Sequence, residues 1–366
     1  MASRWAWVRW LRGVTVAFGF AAMGLQAWAC AICAPSAAEQ TLTQRLFKSQ
    51  AVAIARATGQ PGVFSVTAPV HGVDAGATLR DVAAAQDGSV PASGASVLLA
   101  QSGGSWRVMA QMPVQRATWV ARLIALRRAP DANPADADWE ARFTFFAPDL
   151  ENPVQAVAQV AYEELSNAPL GAMRSAARHF AGLPLQRWLT QPALVDRTPL
   201  YALMFGFVAP AQAAVQIQRD LLARSSRAPL AANAAWMAAV LELQGEAGLA
   251  WLVRNYLQAP ARADDEVQAA LLAMRVHVAD GKRLNRSAAS QAIRSFVGAN
   301  PQRAGFAASD LGDWGQWDFV ADFERLLDTD QPQVFASRYG MVLYMLRNPQ
   351  PQAKEALERL RAKGRL

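Results

Sequence analysis

Cysteine, histidine and long apolar runs are what this 366-residue chain has least of. Its two cysteines, Cys30 and Cys33, can pair only with each other, and His71, His179 and His277 are scattered without ligand spacing. A four-ligand zinc site has too few donors. Ala34 stands where a haem-attachment motif needs histidine after C-x-x-C. The sequence contains no G-x-S-x-G, no G-x-x-x-x-G-K-[ST], no H-E-x-x-H and no G-x-G-x-x-G. No catalytic residue, metal or cofactor is therefore expected. The formal net charge is +7, carried mostly by arginines spread beside acids. A nucleic-acid-binding chain would show a clustered basic face, so none is expected as a partner.

The one uninterrupted apolar run comes early. Residues 1–12 carry Arg4, Arg9 and Arg12 without an acid, residues 13–26 are apolar and uncharged, and Ala27 and Ala29 place small residues at −3 and −1 before Cys30. Basic region, apolar core and A-x-A site make a secretory signal over residues 1–29. The core is shorter than the roughly 20 residues a membrane-spanning helix needs. Losing three arginines lowers the balance from +7 to +4. The remainder is expected to be exported, periplasmic or extracellular, in an oxidising compartment.

There the Cys30–Cys33 pair has several readings. It can close a small disulfide ring, cycle as a dithiol, or hold Cu(I) through soft thiolates. Cleavage after Ala29 would make Cys30 the first residue and a site for lipid attachment, a membrane tether. Trp28 fits that processing pattern poorly, since it prefers a small residue at −2. Thioredoxin-like exchange needs its first cysteine at a helix N-terminus within a βαβ unit. Here the helix signal comes later, at a Ser36–Glu39 capping box after Pro35, and no βαβ pattern follows.

Beyond the Cys-containing segment (residues 30–47), residues 48–115 read as a small β domain. Strand-like runs at 51–57, 62–70, 77–83, 95–100 and 106–112 alternate with turn-forming stretches, Gly103-Gly104 among them as a hairpin turn. Residues 116–149 are transitional, with a turn-rich loop at 130–138. From residue 150 to 366 the pattern is helical. Val154, Val157, Ala158, Ala161, Tyr162 and Leu165 share one face, with Asn152 as N-cap and Pro153 at the first helical position. Thr198 and Pro199 repeat that device, and Gly245 and Gly281 mark stops. Successive hairpins fall roughly 33–45 residues apart, each helix with one apolar face that a stack can bury. The expected fold class is mainly α with α+β character: a small antiparallel β-barrel or sandwich, then an α-solenoid of helical hairpins.

Two resemblances follow. The helical spacing and stretches such as DLGDWGQWDFV (310–320) followed by QVFASRYGMVLYMLRNP (333–349) resemble the HEAT and armadillo class, and secreted bacterial HEAT-repeat-containing proteins with a signal, a small β module and repeats. The N-terminal cysteine, a short helix, the strand AVAIARA (51–57) and SGASVLLAQSGGSW (93–106) resemble netrin-like or tissue-inhibitor-like modules, which are OB-type barrels. This chain lacks the later cysteines that bridge such N-termini to the barrel, so inhibitor function is not carried over.

Within the helices, His179 and His277 read as flanking or core residues with no evident orienting group, and His71 lies in a turn near Asp74. Asp310, Asp313, Asp318 and Asp322 miss the EF-hand spacing and read as helix starts or a solvated face. Trp314 and Trp317 read as packing residues that would become interaction anchors if exposed together. The expected function is an exported, non-enzymatic interaction or scaffold protein binding a protein or peptide along its helical surface. The alternative is an exported thiol-redox or copper-handling protein using Cys30 and Cys33.

Overall fold

The computed structural model describes residues 32–33, 40–127, 137–224, 228–330 and 333–366. The signal segment, Cys30, the Ser36–Glu39 box and most of the 130–138 loop lie outside the described residues.

The sheet comes first. Strands β1 (Ala51–Ala57), β2 (Phe64–His71), β3 (Thr78–Leu79), β4 (Ser96–Ser102) and β5 (Ser105–Gln111) form one antiparallel sheet in the order β3-β2-β1-β4-β5. Every strand begins within two residues of its sequence expectation, though β3 is only two residues long. Gly103 and Gly104, at φ 58° and 80°, make the two-residue β4–β5 turn. Two positive φ values in succession are what a type I′ hairpin turn requires. Irregular register within β1–β2 and at Leu98/Leu99 of β4–β5 marks bulges, which bend and twist a sheet. The result is a half-barrel rather than a closed barrel or a two-sheet sandwich. Its edges meet at one bridge: Ala83, just after β3, donates to Trp106 O (2.9 Å) and accepts from Val108 N (3.0 Å) on β5.

Alternation along the strands explains the two cores. Ala53, Ala55 and Ala57 of β1 and Val97 and Leu99 of β4 point into the curl with Phe64, Val66, Leu79, Val82 and Val108. Small alanines on the central strand let the sheet close tightly. Val52, Ile54, Leu98 and Ala100 point outward, into a second core that continues through the helices. With both faces covered, β1 is buried at five successive positions.

Helix α1 (Leu42–Lys48) is opened by a Thr41–Gln44 capping box, and α2 (Ala117–Ala125) packs Trp119, Val120 and Leu123 on the outer sheet face. Trp119 stacks on Phe145 of α3 (Trp139–Phe146) at 5.4 Å and donates Nε1–H to Asp149 (2.8 Å). The chain continues through α4 (Gln155–Ser166), α5 (Leu170–Ser175), α6 (Leu185–Leu189), α7 (Thr198–Val208), α8 (Ala213–Ala223), α9 (Leu230–Gln244), α10 (Glu246–Leu252), α11 (Asp264–Asp280), α12 (Arg286–Ala299), α13 (Ala308–Asp313), α14 (Val320–Leu327), α15 (Phe335–Arg347) and α16 (Pro351–Ala362). The expected class, mainly α with an antiparallel sheet ahead of the helices, holds.

Alternate helices are neighbours: α7 packs on α9, α9 on α11, and α15 on α13 and its preceding 3-10 turn, Ala304–Ala307. The expectation of one apolar face per helix fails for the middle of this layer. Helix α9 is buried at ten positions, Ala232 to Glu242, because helices cover it on both sides. Its alanines permit close approach, and a Cβ on Gly206 of α7 would lie 2.8 Å from Ala239 Cα. Gly281 ends α11 in the left-handed region (φ 70°), as expected. The α4 start differs: Asn152 Oδ1 accepts Val154 N–H (2.9 Å) and the helix begins at Gln155. Thr198 likewise opens α7 without a side-chain cap.

Candidate functional site

Scattered exposed apolar residues are normal, so only a contiguous set is informative. Val90, Val114 and Val195 are exposed singly, and Val215 and Leu222 lie two turns apart on α8. Helix α15 is different. Phe335 (82% exposed), Tyr339 (57%), Leu343 (37%) and Leu346 (56%) follow at steps of four, four and three along one helix. That spacing puts all four on one face. The Phe335 and Tyr339 rings stack with centroids 6.5 Å apart. The opposite face, with Ser337, Met341, Tyr344 and Met345, is buried.

The stripe borders a groove of about 420 Å³ between α15 and α11, floored by the Ala304–Ala307 turn and α13. Ala336, Gly340 and Leu343 form one wall, Leu271, Leu272 and Gln268 the other, and Gly305, Phe306 and Ser309 the floor. The floor is shallow because two backbones meet there. A Cβ on Gly305 would overlap the Ser337 carbonyl oxygen, one on Gly340 would overlap the Gly305 carbonyl oxygen, and Ser337 Oγ accepts Gly305 N–H (2.9 Å).

Among the described lining residues the only charged side chains are Arg275 and Arg347. Each is fixed from behind by an aspartate. Arg275 Nε donates to Asp310 Oδ1, and Arg347 Nη2 donates to Asp313 (2.6 Å). Neither aspartate lines the groove. Asp310 is almost wholly buried, its Oδ2 has no hydrogen-bond partner, and burial pushes its carboxyl above the usual aspartate range. A guanidinium has five N–H donors, so each arginine keeps donors for the groove while its position is set.

This changes the reading of the aspartates. Asp310 is not on a solvated face. Asp318 and Asp322 both pair with Arg294, and the described residues contain no cluster of three potential metal ligands. Trp314 is buried, and Trp317 is half-buried against Tyr344 (5.3 Å), so the joint exposure that would make them anchors is not met. Among the described residues the exposed aromatics are Phe335 and Tyr339. Their signal was visible as the i, i+4, i+8, i+11 spacing on α15, but the same spacing marks core faces elsewhere in the chain.

A second groove, between α10 and α12, is lined by Glu246, Arg254, Asn285, Ser287, Gln291 and Ser295 among smaller apolar residues. Its lining is divided between polar and apolar residues, and it carries none of the exposed large apolar side chains.

A buried ionic cluster joins α5, α9 and α11. Arg174 forks onto Glu242 (2.9 and 2.6 Å) and also donates to Asp280, while Arg283 donates to Glu242 (3.2 Å). Burial opposes the Glu242 charge, yet the arginine hydrogen bonds outweigh it and hold the carboxyl below its ordinary range. His277, wholly buried, donates Nε2–H to Ala238 O (2.9 Å) and leaves Nδ1 3.9 Å from Glu242 Oε2 without a hydrogen bond. Burial lowers it to about 4, so it is neutral at neutral pH. The cluster offers no nucleophile; it ties three helices together. His179 rests on Glu140 (2.5 Å), an orienting group 39 residues away, and His71 is exposed at the end of β2.

Cys33 lies against the helical core, only 4% exposed. Tyr162 on α4 is pushed up to about 12, first by burial and then by the neighbouring Cys33. Cys30, and with it the Cys30–Cys33 pairing and the lipid-anchor reading, lies outside the described residues.

Comparison with known proteins finds no matching family model, no matching curated protein and no matching solved structure. No described helix is long and apolar enough to cross a membrane.

Proposed function

We propose that this chain is an exported, non-enzymatic interaction protein that holds a segment of a partner protein against α15. The observation that carries the reading is the stripe Phe335–Tyr339–Leu343–Leu346, exposed beside a groove, where no other described helix exposes more than two large apolar side chains. Export is supported by the order of charged, apolar and small residues over 1–29.

The helical layer is best read as a HEAT- or armadillo-like solenoid. Its supports are the neighbour relations of α7, α9, α11, the Ala304–Ala307 turn and α15, and their starts 31 to 40 residues apart. The half-barrel ahead of it is compatible with an OB-type module through its five strands and curl. The thiol-redox or copper reading has less support, because a reactive thiol needs access and Cys33 is buried in the core.

The test is selection of a displayed random library of peptides about 20 residues long, a length that exceeds the stripe, on the full chain. Groove binding requires enriched peptides that lose affinity for Tyr339→Glu and Leu343→Glu proteins but keep it for Leu222→Glu, an exposed leucine on α8. Enrichment indifferent to the α15 substitutions, or no enrichment at all, removes the reading.

A further inference from the structure

We propose that the occupant of the α15 groove is an α-helix of a partner protein, apolar along one face and bearing carboxylates beside that face for Arg275 and Arg347. This rests on the groove being a protein-binding site and assigns the chemistry of what binds.

The first argument is backbone satisfaction. A peptide lying against this surface has walls of Leu271, Leu272, Ala336 and Leu343 and almost no hydrogen-bonding groups beyond Gln268, Ser309 and the two arginines. An extended segment would bury N–H and C=O groups there without partners, at a cost for each. A helix brings its backbone already paired, and sheet-type docking is closed off because the groove presents helices and no strand edge. The second argument is length. From Phe335 to Leu346 the stripe rises about 16 Å, three helical turns. That suits apolar anchors at i, i+4, i+7 and i+11 of a facing helix.

The third argument is charge. Arg275 and Arg347 are the groove's only charged lining residues among those described, each locked by an aspartate that stays outside. Both guanidiniums are part-exposed, at 37% and 50% of their side-chain surface. Desolvating them under an uncharged occupant would be unfavourable, while a carboxylate takes charge-assisted hydrogen bonds from a planar fork. The same point disfavours a second copy of this chain. Two stripes face to face would bring four arginines together with no lining acid to meet them.

The experiment displays two libraries on the full chain: a fixed, stabilised helix randomised along one face among Leu, Phe, Ala, Glu, Lys and Gln, and an extended-peptide library of the same composition. The expected result is enrichment of helices with an apolar stripe flanked by Glu, at least tenfold over the same stripes flanked by Lys. Arg275→Gln/Arg347→Gln protein should lose the Glu preference and keep the apolar one. Arg347→Glu, at an exposed side chain, should shift the preference toward Lys and guards against a folding defect in the double variant. Apolar helices enriched without any Glu preference, or binders drawn only from the extended library, overturn the proposal but leave the groove reading standing. Binders from neither library that depend on Tyr339 and Leu343 overturn both. A wild-type dimer that Leu343→Glu converts to a monomer, by light scattering, identifies the occupant as a second copy and also overturns the proposal.

Discussion

Gly305 and Ser337 meet backbone to backbone: a Cβ on Gly305 would overlap the Ser337 carbonyl oxygen, and Gly305 N–H donates to Ser337 Oγ at 2.9 Å. No side-chain rotation relieves such an overlap, because the obstructing atom is main chain. Gly305→Ala must push α15 away from the Ala304–Ala307 turn and is expected to cost about 3 kcal/mol or more of unfolding free energy. Chemical denaturation reads that loss. Gly298→Ala is the control: it lies on α12 with open space around its Cβ, and a helical Gly→Ala change there should be neutral or stabilising.

His277 gives the molecule a defined acid response. Its folded pKa is about 4, against an ordinary value of 6.5, because burial penalises the imidazolium. Above pH 6.5 neither folded nor unfolded histidine holds the extra proton, and the group contributes no pH dependence. As pH falls from 6.5 toward 4 the unfolded chain takes up a proton that the native one refuses, so stability falls. The full penalty is about 3 kcal/mol, reached below pH 4. His277→Gln, able to donate to Ala238 O without titrating, should flatten this part of the profile. The measurement is unfolding free energy at several pH values for both proteins; equal slopes would remove His277 as the cause. Glu242, Arg174 and Asp280 are coupled to the imidazole, so the difference between the profiles reports His277 together with its effect on these neighbours.

Arg174 is the sole cation that touches both Glu242 and Asp280 among the described residues, and both carboxylates are nearly buried. Arg174→Met leaves them with only Arg283 and neutral His277 nearby on the Glu242 side. Removing one partner of a buried pair costs about 3–5 kcal/mol. Neutralising the carboxylates at the same time, in Arg174→Met/Glu242→Gln/Asp280→Asn, should recover more than half of that. A triple variant as unstable as the single one would show that packing of the Arg174 stem, over the Phe207 ring at 5.6 Å, is what matters.

These three sites show what the sequence made legible and what it did not. Strand positions and the Gly103-Gly104 hairpin were readable, because alternation and turn chemistry are local. So were the stops at Gly245 and Gly281. The arginine–carboxylate pairings were not. Arg174 and Asp280 are 106 residues apart, and Arg275 and Asp310 are 35 apart. Nothing local distinguishes Asp310, buried, from Asp318, which is solvated. The α15 stripe was hidden for a related reason. Its spacing announces an apolar face, but whether another helix covers that face is a property of the stack. Helix α9 illustrates the reverse, since its surroundings bury it almost all round.

The two edges of the half-barrel touch at Ala83. Its N–H donates to Trp106 O and its carbonyl accepts from Val108 N, the one backbone bridge among the described residues between the chain after β3 and β5, beside an Arg107 Nη1 bond to Ala84 O (3.3 Å). Ala83→Pro deletes the donor and should cost about 1–3 kcal/mol. Hydrogen exchange should show Val108 and its β5 neighbours losing protection, while β1 and β4, paired on both sides, keep theirs. Uniform loss across all five strands would mean that the bridge holds the sheet's fold rather than its edge.

The stripe itself should contribute almost nothing to folding. Phe335 and Tyr339 are largely solvent-exposed, and a side chain that stays in water gains little from the native state. Phe335→Ser and Tyr339→Ser are therefore expected to change unfolding free energy by no more than about 0.5 kcal/mol each. They should nonetheless weaken any groove ligand, since large aromatic side chains dominate such contacts. A loss of 2 kcal/mol or more on folding would instead be about what a packed residue costs, and would make the stripe part of the structure. The comparison separates the two roles because it needs no knowledge of the partner: unchanged stability together with lost ligand binding is what the proposed docking role predicts, and lost stability is what a packing role predicts.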